Sequence, residues 1–130
     1  MAVARSVLIA DDDQDTCEAL AQALSDEGFD ASCVGDGRAV MEALRTKRAP
    51  SVVLLDMLLP GEMDGWDVLK AKAADPRIAA IPVIVMSGYA RLPDAIGGVV
   101  AVLRKPFEWE ELLRALEQSR TKPRAVRPTL

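Results

Sequence analysis

Short apolar runs alternate along this chain with longer stretches in which apolar residues recur every three or four positions. Val7-Leu8-Ile9-Ala10, Val52-Val53-Leu54-Leu55, Val83-Ile84-Val85-Met86 and Ala101-Val102-Leu103-Arg104 are too short for helices and rich in β-branched residues. They read as strands of a parallel sheet, continuous apolar runs rather than the apolar–polar alternation of a half-exposed strand. A weaker strand is predicted near Asp30–Val34. Between them, Cys17, Leu20, Ala23 and Leu24 keep a helical period until Gly28, and Val40, Met41 and Leu44 follow the turn Asp36-Gly37. Asp64-Gly65 opens a third helix carrying Val68, Leu69 and Lys72, which Asp75-Pro76 ends. The last helix starts near Trp109, with Leu112, Leu113 and Leu116 on its buried side. Pro50 precedes the third strand, and Pro82 opens the fourth, where a missing donor is tolerable.

Strand–helix alternation with right-handed crossovers predicts an α/β fold, a doubly wound five-stranded parallel sheet of (βα)5 type. The fourth helix is expected to be shortened, because Pro93 and Gly97-Gly98 leave room for only about one or two turns. A single domain is expected over residues 1–119. Residues 120–130 hold four basic residues, no acid, Pro123 and Pro128, and are expected to be a disordered basic tail.

Composition narrows the chemistry. The 130 residues are 50% hydrophobic, enough for a real core, and no stretch is long and apolar enough to span a bilayer. No membrane insertion is expected, and a cytoplasmic location is. The chain has no His, which excludes His-type zinc sites and His general-base catalysis. Net charge is −4, and outside the basic tail it is −8, so no nucleic-acid partner is expected for the body. Cys17 and Cys33 form no disulfide framework and are both read as reduced and structural.

What the strands deliver at their ends is more specific. The first ends in Asp11-Asp12-Asp13, the third in Asp56, the fourth in Ser87 and the last in Lys105-Pro106. Ligands bind at the carboxyl ends of strands in open parallel sheets. Crowded carboxylates cost energy unless a cation or solvent screens them, so removing one is expected to stabilise the metal-free fold. The set points to a divalent cation and a phosphoryl group. Simpler roles compete: Asp11–Asp13 can cap the first helix, with Asp13 the best candidate for a pure cap, and Asp56 can be a solvated strand end. Trp66 fits equally well beside the site or as packing, while Phe107, Leu112 and Leu113 read as core.

Together, the acidic run, Asp56-Met57-Leu58-Leu59-Pro60 with Met63-Asp64-Gly65, Ser87, and Lys105-Pro106-Phe107 resemble the receiver domain of bacterial two-component response regulators. The resemblance covers roughly residues 5–118 and implies the flavodoxin-like strand order 2-1-3-4-5. It makes Asp56 the phosphoacceptor, assigns Mg²⁺ to Asp11, Asp12, Asp56 and the main-chain carbonyl of Leu58, and gives Lys105 and Ser87 contacts to phosphoryl oxygens. It also implies a cis Lys105-Pro106 bond. The partners implied are a histidine kinase or histidine phosphotransfer protein and a downstream protein target. The chain would then catalyse its own phosphorylation and autodephosphorylation while serving mainly in signalling.

Several positions depart from the family pattern. The turn from Pro60 to Gly65 carries one extra residue, which Gly61 is expected to absorb. The stretch between Ser87 and Lys105 is short by roughly one helical turn. Val102 occupies a position that is typically aromatic, and Leu58 and Tyr89 flank the phosphoryl site. Output is therefore expected to run through Ser87 and reordering of residues 88–98. A pseudo-receiver that binds partners without phosphorylation is the alternative function, and a small phosphatase with an Asp nucleophile a more distant one.

Overall fold

The computed structural model describes residues 5–88 and 98–120. Five parallel strands, β1 (Ser6–Ala10), β2 (Asp30–Val34), β3 (Val52–Asp56), β4 (Val83–Ser87) and β5 (Val99–Arg104), lie in the order β2-β1-β3-β4-β5. Four helices are described: α1 (Gln14–Asp26), α2 (Gly37–Leu44), α3 (Gly65–Ala73) and α4 (Trp109–Arg120). The shortened helix expected between β4 and β5 falls on residues 89–97, and the expected tail on 121–130, both outside the described residues.

Side-chain alternation along the inner strands builds two cores. Leu8, Ala10, Val53, Leu55, Val83 and Val85 face α2 and α3, packing on Val40, Met41, Leu44, Val68 and Leu69. Val7, Ile9, Val52, Leu54, Ile84 and Met86 face α1 and α4, packing on Cys17, Leu24, Leu112 and Leu116. Both faces of β1, β3 and β4 are thus covered, which is why those strands read as unbroken apolar runs. The edge strand β2 is half exposed, so it gave only a weak signal. β5 begins two residues before the expected Ala101, and a register shift between Val83 and Ile84 accommodates its pairing with β4. Leu113 is half-buried rather than buried, at the margin of the α4 face.

Local chemistry sets the helix starts. Asp13 is the N-cap of α1, accepting from the Thr16 amide at 3.2 Å, and Asp36 caps α2 through the Ala39 amide at 2.8 Å. At α3 the cap is reciprocal: Asp64 accepts from the Asp67 amide at 3.0 Å while Asp67 accepts from the Asp64 amide at 3.1 Å. Gly61 takes φ +88°, the left-handed conformation that glycine adopts without penalty, inside the lengthened turn.

Lys72, on the inner side of α3, has no exposed surface at all. Its ammonium donates to the Ala79 carbonyl at 2.7 Å, tying the end of α3 to the loop before β4. Desolvation pulls its pKa down to about 8.

Candidate functional site at the sheet edge

The carboxyl ends of β1, β3, β4 and β5 meet because parallel pairing places them side by side. Ala10 pairs with Leu55, Asp56 with Met86, and Ser87 with Arg104, so the residues that follow emerge on one edge. Asp11, Asp56 and Ser87 are buried there, whereas Asp12 is exposed. One carboxylate oxygen from each of Asp11, Asp12 and Asp56 lies within 4.8 Å of the others. An all-oxygen cluster with one solvent-facing member suits a hard divalent cation that keeps part of its water shell.

Each acid is oriented by its own backbone. Asp11 Oδ1 accepts from the Asp13 amide at 2.9 Å, and Asp56 Oδ1 accepts from the Leu58 amide at 2.9 Å. Their other oxygens converge on Lys105, whose Nζ lies 3.3 Å from Asp11 Oδ2 and 3.0 Å from Asp56 Oδ2. Burial opposes the Lys105 charge, but the hydrogen bond and charge of Asp56, with those of Asp11, outweigh it and hold the pKa above the ordinary lysine value. The carboxylate crowding expected to wait for a metal is therefore already offset in part by a cation from the chain itself. That corrects the expectation that repulsion among these acids goes unrelieved without metal.

Lys105 is held in place through its main chain as well. Its amide donates to the Ser87 carbonyl at 2.8 Å, extending the β4–β5 ladder one residue past the strand, and the Lys105-Pro106 peptide is cis. Ser87 thus adjoins Lys105 at the site edge.

Sequence reasoning missed Gly65. A Cβ there would lie 2.5 Å from Met57 Cα and 3.1 Å from the Asp56 carbonyl oxygen. The Gly65 amide also donates to the Met57 carbonyl at 3.1 Å. Glycine lets the start of α3 press against the backbone that carries Asp56. The only local signal was the pair Asp64-Gly65, which reads equally well as an ordinary helix start.

The flanking positions resolve differently. The Leu58 side chain is 57% exposed and Trp66 37% exposed, so Trp66 faces solvent from the first turn of α3 outside both core clusters. Val102 is 42% exposed on the edge strand β5. Tyr89 lies outside the described residues. Cys17 is buried, but Cys33 is exposed, so the structural reading holds for the first cysteine and not for the second.

Residues 7–117 match the family model of the response regulator receiver domain. The chain is 35% identical over 111 residues to the DNA-binding response regulator MtrA of Mycobacterium tuberculosis H37Rv, covering 82% of this chain and 46% of MtrA. It spans about half the length of the curated relatives it matches. Among solved structures, a response regulator receiver protein from Pseudomonas putida superposes with a TM-score of 0.79 at 28% identity, covering 91% of this chain and 99% of that one. The receiver domain of sensor histidine kinase PA1611 from Pseudomonas aeruginosa PAO1, solved with a magnesium ion coordinated in its active-site cleft, superposes with a TM-score of 0.75. It is 26% identical, covering 89% of this chain and 97% of that one. No described helix is long and apolar enough to cross a membrane.

Proposed function

The chain belongs to the response regulator receiver domain family of two-component systems, and from that premise we propose that Asp56 accepts a phosphoryl group from a histidine kinase or histidine phosphotransfer protein. The observation that carries this reading is the position of Lys105, held between the buried carboxylates of Asp11 and Asp56. A structural ion pair needs one acid. Two acids sharing one cation, with Asp12 exposed beside them, keep negative charge in reserve for a second cation.

Asp11, Asp12, Asp56 and the Leu58 carbonyl would hold Mg²⁺, which supplies charge neutralisation for the incoming phosphoryl oxygens. The Asp56 carboxylate is the nucleophile: its oxygen forms the new bond to phosphorus as the bond from phosphorus to the donor's imidazole nitrogen breaks. Lys105 then moves its hydrogen bond from the Asp56 carboxylate to a phosphoryl oxygen, and the Ser87 hydroxyl donates to another. Because this chemistry is mostly positioning, the amide of Leu58 and the close packing of Gly65 serve it by fixing the Asp56 carboxylate and its backbone. Hydrolysis of the resulting acyl phosphate resets the domain, so the catalysis serves a signalling cycle. The acidic body favours a protein as the downstream partner.

The test is incubation with a small acyl phosphate and Mg²⁺, read by intact mass and by lability to hydroxylamine. One phosphoryl group is expected on the wild type and none on Asp56→Asn, which keeps the shape and removes the nucleophile. An unlabelled wild type, with a purified kinase also failing to transfer phosphate, favours the pseudo-receiver that binds partners without phosphorylation.

A further inference from the structure

The two cysteines bracket one residue of β1. Register places Cys33 of β2 directly beside Ile9, and the Cys17 thiol on α1 donates to the carbonyl of that same Ile9 at 3.5 Å. Both side chains line a single cleft of about 340 Å³ that also reaches Asp11, Asp12 and Glu18. Both thiols are free, Cys17 buried and Cys33 open to solvent. Burial, and then the neighbouring Cys33 thiol, push the Cys17 thiol up, so the exposed Cys33 is the sulfur that an oxidant in solvent reaches first. An exposed thiol beside a second, buried one offers a place for reversible oxidation, in which the second sulfur traps the oxidised first.

We propose that Cys17 and Cys33 are a modification site at which a peroxide closes an intramolecular disulfide between α1 and β2. The Cys33 sulfur attacks one peroxide oxygen, the oxygen–oxygen bond breaks, and the departing hydroxide takes the thiol proton to leave as water. Cys33 is then a sulfenic acid. The Cys17 sulfur displaces hydroxide from it, the sulfur–sulfur bond forms, and the Cys17 proton leaves with that hydroxide as a second water. The two thiols together lose two electrons and the peroxide gains them. The bond spans the cleft beside Asp11 and Asp12, fixing the first turns of α1 against β2. It forms whether or not Asp56 is phosphorylated, so it does not rest on the phosphoacceptor reading.

The experiment treats the reduced full chain with a small excess of hydrogen peroxide, then blocks remaining thiols with N-ethylmaleimide in denaturant and measures intact mass. Wild type is expected to become refractory to maleimide at both cysteines, to lose the mass of two hydrogens as a monomer, and to recover with dithiothreitol. Cys33→Ser, a change at an exposed position, is expected to keep its Cys17 thiol available to maleimide. Cys17→Ala is expected to stop at a sulfenic acid that dimedone captures on Cys33. Wild type that stays doubly alkylated, that loses thiols only as intermolecular dimers, or that proceeds straight to sulfinic acid overturns the proposal.

Discussion

The Lys105 ammonium lies 3.0 Å from Asp56 Oδ2, at the edge where β5 and β3 end two strands apart. Because it also reaches Asp11 at 3.3 Å, one cation holds two buried acids in place before any metal arrives. Lys105→Met removes that counter-charge and leaves the acids facing one another. Breaking a fully buried pair costs about 3–5 kcal/mol. Lys105 is one-third exposed, and screening reduces the expected loss to about 1–2 kcal/mol. Mg²⁺ should then raise the melting temperature of the variant more than that of the wild type. Equal melting of the two proteins without metal would show that Lys105 does not hold the cluster.

Asp12 and Asp13 are adjacent in sequence and opposite in role. Asp13 caps α1, and the Thr16 amide that bonds to it holds its pKa below the ordinary carboxylate value. Asp12 belongs to the three-carboxylate cluster. Asp13→Ala should therefore lower the melting temperature by a few degrees and leave the response to Mg²⁺ intact. Asp12→Ala should leave or raise the metal-free melting temperature and lose most of the Mg²⁺ response. Thermal melting of both variants across a Mg²⁺ series decides; an undiminished metal response in Asp12→Ala places the cation elsewhere.

Gly65→Ala tests the packing behind Asp56. The added methyl would meet Met57 Cα, and backbone cannot yield as a flexible side-chain tip does. Overpacking of this kind costs about 1–3 kcal/mol. Relief requires the Asp56–Met57 backbone to shift, so acyl phosphate labelling of Asp56 should slow more than the lost stability alone explains. Chemical denaturation and labelling rates under conditions where the variant is fully folded separate the two. Wild-type labelling at reduced stability would confine Gly65 to a packing role.

The parts legible in the sequence are those where burial and chemistry coincide in a few consecutive residues. β1, β3 and β4 could be read because both faces are covered, and their terminal Asp11, Asp56 and Ser87 follow apolar runs without a break. Three features were not legible, each for the same reason: a partner in another segment, placed there by the fold, creates them. Lys105 is visible as a basic residue after β5, but its reach to Asp11 and Asp56 depends on strand order. Gly65 is visible as a helix opener, but Met57 makes it obligatory. Lys72 falls on the apolar stripe of α3, yet only the fold shows that its whole length is buried and its ammonium bonded to Ala79.

That buried ammonium predicts an alkaline signature. The folded pKa of Lys72, about 8, lies below its ordinary value of 10.5, so folding disfavours the charged form. Between those values the unfolded chain binds more protons than the folded one, and stability rises with pH. The cost of holding the charge is fully present below pH 8 and relieved by 10.5; the shift corresponds to about 3 kcal/mol. Lys105 acts with the opposite sign. Its pKa is raised, so its contribution is intact below 10.5 and lost as pH climbs through its folded value. The two effects occupy different windows. Urea unfolding of wild type should therefore show stability increasing from pH 8 toward 10, before any loss attributable to Lys105. Lys72→Met, similar in volume and uncharged, should flatten that rise, with neutral-pH stability changed less because the Ala79 carbonyl loses its donor as the charge is removed. A wild-type curve that is flat or falling from pH 8 to 10, or an equal rise in Lys72→Met, would show that Lys72 is not the titrating group.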